Sequence, residues 1–501
     1  MENTKKISVK DAPKGFKLLL ILLPAVGYFL ITLTLDNDFY FLYPTGEYIV
    51  NNGFPFKDFL SMHSNMDIIV QQWLIDVVFY ELYSKLGAIG IAAFIALCYT
   101  ALMVLMYKLC YLISDNWFTS AICAFIADIF ICGIYMTSRP QALTFVLLAL
   151  ELFALESYVK TKKAAYLVII PAVSLVLINA HASMWLMLFV LALPYAAESI
   201  PIKLKKFEQK PCCSFRALLI TGIISFAVGF INPYGIKAMT YIFTSFGYKE
   251  INGLVFEMQP TKPTHVFGIL FYVLILSVAV ITVITRYKNF KTRFVLLFFG
   301  TLILAVMNYK SIGLFIITAP AAYSYYLKDL DFSFTVTESK RTKKEKTRLA
   351  VLVSLLICVC VGAAFAVYIS GSGSKEPTEY DSLDKAVEIL DNEKEDIVLF
   401  TGFDYGQYLE FKGYHPYIDG RAELYLKDNN NEFDYLKEYY DMIRGELDCK
   451  EFTKKYGFTH LIVNKNEPYL YKELLSDGDY ELIYKDSYIY MFRQKSLDNA
   501  K

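Results

Sequence analysis

A polytopic α-helical membrane protein with a C-terminal extracytoplasmic α/β domain is the fold class that three features of these 501 residues predict. The chain is 55% hydrophobic with mean hydropathy +0.38, and apolar runs recur from Leu18 to Ser370, a pattern that soluble domains do not sustain. Lysine and arginine cluster in alternate loops between those runs. The chain after Ser370 is polar and acidic: 28 acidic residues against 17 basic ones give a net charge of −11, so the membrane part carries +11.

Taking roughly 20 apolar residues as one crossing, about eleven helices are expected. They are Leu18 to Leu35, Leu86 to Ile113, Trp117 to Met136, Pro140 to Val159, Ala164 to Ile178, Met184 to Ile202, Ala217 to Ile231, Val266 to Ile284, Phe294 to Met307, Ile312 to Tyr326 and Leu349 to Ser370. The first follows a basic tail but has no small-residue cleavage site after Leu35, and reads as a retained span. Basic residues favour cytoplasmic loops. Lys5, Lys6, Lys10, Lys14 and Lys17 of the tail, Lys160 to Lys163, Lys203 to Lys210, Arg286 to Arg293 and Lys340 to Arg348 all fall inside if the N-terminus is cytoplasmic. The intervening loops and everything after Ser370 then face out.

The expected organisation is a membrane domain over 1–370, with an outer loop at 36–85, a linker at 371–380 built on Gly371-Ser-Gly-Ser374, and an extracytoplasmic α/β domain over 381–501. Asn65 to Leu86 carries apolar residues at helical spacing, which suits a surface helix with Trp73 at headgroup depth. In the outer domain, helices are expected near Ser382 to Asn392, Glu432 to Arg444 and Glu451 to Tyr456. Strands are expected at Ile397 to Thr401 and His460 to Val463, with a hairpin pairing Tyr480 to Tyr484 with Tyr488 to Phe492.

Residues that suit chemistry gather in the outer segments. Asp36 and Asp38 open the first outer loop, followed by Asp58 and His63. A carboxylate at the edge of a bilayer suits a general base or a metal ligand, and equally a helix cap. Arg139 begins the fourth span, where a guanidinium and a helix N-terminus together favour a phosphate; an interfacial arginine reaching for lipid headgroups has the same address. Lys310 and His181 occupy short outer turns. Asp128 and Glu151 lie within spans, at positions costly for an acid unless it is paired or faces a polar cavity. Cysteines are confined mainly to apolar spans, so no disulfide framework is implied. The sequence holds no phosphate-binding glycine loop, zinc-spaced Cys/His cluster or serine nucleophile elbow. The acidic outer domain disfavours nucleic acid as a partner.

The stretch Asp36-Asn-Asp38-Phe-Tyr-Phe-Leu-Tyr-Pro-Thr45-Gly46-Glu47, with Gly53-Phe-Pro55, Asp58-Phe59, Ser61 and Gln72-Trp73-Leu74, resembles bacterial integral-membrane glycosyltransferases of the GT-C superfamily. These are relatives of the dolichyl-phosphate-mannose-protein mannosyltransferases and of lipid A and oligosaccharide sugar transferases. The resemblance continues in Ser138-Arg139-Pro140-Gln141, Asn179-Ala-His181, Asn232-Pro-Tyr-Gly235 and Tyr417-Ile-Asp419-Gly420-Arg421-Ala-Glu423-Leu-Tyr425. Where many members carry a histidine after two aromatics, this chain has Leu42.

The resemblance implies an inverting sugar transfer from a polyprenyl-phosphate-sugar donor to a glycan, lipid or protein acceptor. Asp38 would be the base with Asp36 in reserve, and Arg139 and Lys310 would hold the donor phosphate on the same outer face. Asp58, His63, His181, Asp419, Arg421 and Glu423 would bind acceptor or substrate. It fixes no cofactor; a divalent metal is compatible with the acidic loop. Other classes with a similar layout are a glycan ligase or polymerase, a lipid-linked glycan flippase or transporter, and a non-catalytic scaffold that binds cell-wall glycan.

Overall fold

The structure is a computed structural model that describes residues 35–204, 207–245, 248–264, 272, 291–328, 378–393 and 396–495. The expected spans Leu18 to Leu35, Val266 to Ile284 and Leu349 to Ser370, and most of the linker, lie outside the described residues, as does the side chain of Asp128. The described residues open with α1 (Phe39–Asn52) and α2 (Trp73–Leu86), then run through α3 (Ala88–Ser114), α4 (Trp117–Ile134), α5 (Gln141–Thr161), α6 (Ile169–Ala180) and α7 (Ala182–Glu198). A short hairpin of β1 (Ile202–Leu204) and β2 (Phe207–Gln209) leads to α8 (Phe215–Val228), and α9 (Thr292–Met307) and α10 (Ile312–Leu327) follow. The C-terminal region holds α11 (Glu379–Asp391), β3 (Leu399–Thr401), α12 (Gly406–Phe411), α13 (Tyr435–Ile443), α14 (Cys449–Tyr456), β4 (His460–Asn464), α15 (Pro468–Ser476), β5 (Tyr480–Lys485) and β6 (Ile489–Gln494).

These elements form two compact units. Among the described residues, one comprises those of 88–231 and 257–328, and the other those of 35–87, 232–256 and 378–495. The loop at 36–85 thus groups with the C-terminal region. The reason is packing. In α1, Phe39 is fully buried among Phe79, Tyr83 and Phe411, so a residue of the first loop sits in the same aromatic core as α12. The face of α2 that carries Ile75 and Phe79 is buried rather than turned to lipid, and α2 starts only at Trp73 because residues before it are drawn into loop pairing, with Asp58 N–H donating to Met66 O at 2.9 Å. Gly46 permits the close α1–α2 approach, since a Cβ there would lie 2.0 Å from the Asp76 carbonyl oxygen.

The sheet of this unit has strand order β3-β4-β6-β5, with β3 parallel to β4 and the other pairs antiparallel. Leu461, Ile462 and Val463 of β4 are fully buried, as expected for a central strand covered on both faces. α11 covers the sheet with Leu383, Ala386 and Leu390, and its start is fixed by a capping box between Thr378 and Asp381.

The other unit is a helical bundle that leaves large apolar residues bare on its outer face. On α8, Leu219, Ile220, Ile223 and Ile224 are exposed while Thr221 and Ser225 face inward. Interior hydroxyls tie helices together: Ser174 Oγ donates to Ser225 O at 2.7 Å and accepts from Trp185 Nε1 at 2.8 Å, and the Thr301 and Thr318 hydroxyls meet at 2.7 Å. Small polar residues inside and bare apolar residues outside suit a hydrocarbon solvent. α3, with 27 residues, and α5, with 21, span about 40 and 32 Å, enough for the hydrocarbon core. The expected span Met184 to Ile202 ends early, at Glu198, because Pro201 disfavours helix at Ile200 before it and the chain turns into β1.

At the end of the bundle where α5 and α7 finish and α9 begins, Arg293 lies between two glutamates. Its Nε is 2.8 Å from Glu156, its Nη1 is 2.7 Å from Glu198, and its backbone N–H donates to Glu198 at 2.7 Å. All three side chains are at most 10% exposed. Carboxylates at two helix C-termini oppose the helix dipoles, so the guanidinium offsets both. Removing one member of a buried ion cluster leaves uncompensated charge at a cost of about 3–5 kcal/mol, whereas replacing all of them with apolar residues is often neutral. Arg293→Met is therefore expected to lower the melting temperature of the purified chain sharply, and Arg293→Met combined with Glu156→Met and Glu198→Met to recover most of the loss in the same thermal melt.

Candidate active site

The second unit gathers five of the ten candidate residues, Asp58, His63, Asp419, Arg421 and Glu423, in the region of Arg421. The guanidinium clasps Asp419 through Nε at 2.9 Å and Nη2 at 2.6 Å, reaches Asp58 through Nη1 at 2.8 Å and Glu410 through Nη2 at 3.1 Å. The three carboxylates are fully buried and the arginine side chain is 10% exposed. Asp58 also accepts from the Ser61 backbone N–H and hydroxyl at 2.9 and 2.6 Å, a local turn that aims its other oxygen at Arg421. Tyr425 donates its hydroxyl to Asp419. Burial alone would raise Asp419, but the Arg421 charge and these hydrogen bonds hold its carboxyl below the usual range. Glu410 is pushed well up, by burial first and by Asp419 next, while Arg421 opposes the shift.

Asp58, Asp419 and Arg421 are thus brought together, but as one another's partners. His63 lies beside them, stacked on Tyr435 at 3.8 Å, with Nε2 2.9 Å from the Tyr417 carbonyl, so Nε2 carries the proton. Glu423 accepts from the Tyr241 hydroxyl at 3.0 Å. Two participants had no readable signal in the sequence. Glu410 sits on the six-residue helix α12, and Asp76 is an ordinary acid of an amphipathic helix. Asp76 is fully buried with neither carboxylate oxygen hydrogen-bonded, and burial pushes its carboxyl well up while Arg421 opposes this.

Asp36 and Asp38 stand at the entrance to α1. The Asp38 N–H donates to Asp36 Oδ1 at 3.1 Å, and both backbone carbonyls accept the first N–H groups of α1. The Asp38 side chain makes no capping hydrogen bond, so the cap role that the sequence left open is carried by its backbone. Asn37 between them is anchored to the C-terminal region, donating to Asp404 O at 3.0 Å and accepting from the Tyr380 hydroxyl at 3.2 Å.

The helical unit brings Arg139, His181 and Lys310 to one end. Arg139 precedes α5 and pairs with Glu257 at 2.8 Å. One turn on, Thr144 Oγ1 meets Pro140 O at 3.0 Å and His181 Nδ1 at 2.8 Å. With the hydroxyl proton on the Pro140 carbonyl, Nδ1 is the donor and His181 Nε2 presents a lone pair. Burial, and then Lys310, push the His181 imidazole down to about 3, so it is neutral at pH 7. Lys310 makes no ion pair among the described residues, and its turn is fixed by the Tyr135 hydroxyl on Tyr309 O at 2.7 Å. A cation without a carboxylate partner and a second one on a half-exposed glutamate form an anion-receptive end. Among the described residues, no group of three or more His, Cys, Asp or Glu is arranged to hold a metal ion.

Burial holds His63 down to about 4 against an ordinary value near 6.5. A histidine depressed on folding leaves stability intact above pH 6.5 and removes it as pH falls toward 4, by about 3 kcal/mol in all. Glu467, raised by burial to about 7, has the opposite sign, weakening the fold as pH rises from about 4.5 to 7. His63→Phe, which keeps the stack on Tyr435, is expected to remove only the first effect: denaturation curves at pH 7.5 and 4.5 should show the variant losing less stability on acidification than the parent.

No protein-family profile matches the sequence, and no curated protein matches it. Solved structures do. ArnT from Cupriavidus metallidurans, solved bound to undecaprenyl phosphate, superposes with a TM-score of 0.54 at 12% identity, over 96% of this chain and 98% of that one. The Archaeoglobus fulgidus oligosaccharyltransferase, solved with a tethered acceptor peptide containing the NVT sequon, gives 0.52 at 11% identity, over 97% of this chain and 74% of that one. Both are membrane glycosyltransferases of the GT-C superfamily. At so low an identity the likeness lies in the path of the chain, and by that path this protein shares the overall fold of these two structures.

Proposed function

We propose that this chain is an inverting glycosyltransferase that moves a sugar from a polyprenyl-phosphate-sugar donor to a cell-envelope glycan, lipid or protein acceptor on the outer face of the membrane. The observation that carries this is the fold shared along almost the whole chain with an enzyme solved on undecaprenyl phosphate. The basic loops support an inside N-terminus and an outward-facing C-terminal unit. A polyprenyl tail stays in lipid while its phosphate reaches the end of the helical unit that carries Arg139 and Lys310.

In this reading Asp38 takes the acceptor hydroxyl proton as the nucleophile attacks the anomeric carbon. The sugar–phosphate bond breaks with inversion, and Arg139 and Lys310 stabilise the charge that develops on the leaving lipid phosphate. Asp36 is the alternative base, and its hydrogen bond to the Asp38 N–H sets the geometry of the pair. His181, neutral and oriented by Thr144, offers Nε2 to a hydroxyl beside the phosphate. Asp58, His63, Asp419, Arg421 and Glu423 act on substrate indirectly, by fixing the loop that begins at Asp36. A divalent metal at the Asp36–Asp38 turn is compatible with two carboxylates there. The transporter reading draws on Glu151, buried in α5 with neither carboxylate oxygen hydrogen-bonded, and predicts that lipid-linked substrate moves without bond cleavage.

The test is sugar transfer by the purified full chain from synthetic polyprenyl-phosphate sugars. Loss of a general base costs about 10²–10⁴ in rate, so Asp38→Asn is expected to lower kcat by that factor with normal expression. Loss of one phosphate-stabilising cation costs about 10²–10³, and Arg139→Ala should show it. Undiminished transfer by Asp38→Asn moves the base to Asp36, and undiminished transfer by Asp38→Asn, Asp36→Asn and the variant carrying both rejects the catalytic role of the loop.

A further inference from the structure

At the end of the helical unit remote from Arg139 lie two neighbouring cysteines that the transfer reaction does not use. Cys212 and Cys213 have their sulfurs 3.7 Å apart, and both thiols reach the single Ser199 hydroxyl, at 3.4 and 3.0 Å. Cys212 also reaches the Tyr195 carbonyl, and its N–H donates to Glu198 O at 3.2 Å, next to the Arg293 cluster. The Lys162 amine, at the C-terminus of α5, donates to the Cys212 carbonyl oxygen. Both cysteines are 8% exposed, which leaves a small opening. They are separated from Arg139 by the full length of α5, about 32 Å. The other described free cysteines, Cys98, Cys110, Cys123 and Cys449, are buried as well.

We infer that Cys212 and Cys213 form a reactive vicinal dithiol that closes to an intramolecular disulfide by exchange with small disulfides. Two sulfurs near van der Waals contact and held by one hydroxyl need only a rotation to bond. The Cys212 hydrogen bond, with Ser199, Lys162 and Arg293 behind it, holds the Cys213 thiol down to about 7 against the effect of burial, which makes Cys213 the attacking group. Its thiolate attacks one sulfur of a small disulfide and expels the first alkyl thiolate, leaving a mixed disulfide. Cys212 then gives up its proton and attacks the Cys213 sulfur, expelling the second thiolate. Two protein thiols are oxidised and one small disulfide is reduced to two thiols. Neighbouring residues are closer along the backbone than ordinary disulfide geometry prefers, so the closed ring is strained and readily reopened by thiols. Closing it turns the Cys212–Cys213 peptide and so displaces the carbonyl on which Lys162 terminates α5.

The test treats the purified full chain, in detergent at pH 7, with 2-hydroxyethyl disulfide and maps the peptide Pro211–Arg216 by mass spectrometry after alkylation of remaining thiols. The expected product has lost two hydrogens at Cys212 and Cys213, accepts no alkylating reagent there, and returns to the dithiol with dithiothreitol. Cys449, whose thiol burial pushes up to about 12, should react at least about tenfold more slowly than Cys213. Cys212→Ser is expected to halt at the mixed disulfide on Cys213. Two thiols still open to alkylation, or stable adducts on both cysteines of the parent chain, would overturn the inference even if either variant failed to fold.

Discussion

Arg421 is the constraint on which the non-bundle unit depends. A guanidinium with fixed, forked donors holds carboxylates from three places: Asp58 of the first loop, Glu410 of α12 and Asp419 two residues before it. Because Asp58 and Arg421 are more than 350 residues apart in sequence, the pairing brings distant chain segments into one core. The same region adds backbone bonds between them, with Met62 N–H on Pro416 O at 3.1 Å and Asp67 N–H on Asn430 O at 3.0 Å. Buried ion clusters add little net stability against an apolar alternative, yet they tolerate few arrangements. Here the arrangement decides where the chain that starts at Asp36 is held.

Hydropathy reveals the bundle because lipid imposes its demand on every residue of a span. The runs at Leu86 to Ile113, Trp117 to Met136 and Ile312 to Tyr326 correspond to α3, α4 and α10 within a few residues. What hydropathy misses is the polar bonding inside. The Arg293–Glu156–Glu198 cluster joins residues from three helices, and each alone looks like a charge at a helix end. α1 escapes for a different reason: Pro44 and a run of aromatics argue against a helix, and tertiary packing of Phe39, Tyr40 and Tyr43 against α2 and α12 outweighs local propensity.

The candidate site is legible unevenly. Asp419 and Arg421 stand out because they sit in a short motif rich in charge and tyrosine, and the structure brings them to Asp58, a residue singled out for a different reason. Their mutual pairing is invisible in sequence, since it depends on a fold that returns the C-terminal region to the first loop. Glu410 and Asp76 carry no signal at all; they read as ordinary helix acids, and only the fold shows that they are fully buried, which pushes both carboxyls up. Arg139, His181 and Lys310 stand out by their place in turns between apolar runs, and the structure adds what sequence cannot, the Thr144 hydroxyl that orients the imidazole and the Glu257 partner of the arginine.

Amide hydrogen exchange on the full chain with Arg421→Met measures the central constraint most directly. If Arg421 is what holds the first loop to the C-terminal region, protection falls together at residues 58–68 and at 416–425, including the Met62 amide that donates to Pro416. Loss of protection confined to 416–425, with the first loop as protected as in the parent chain, would contradict the account.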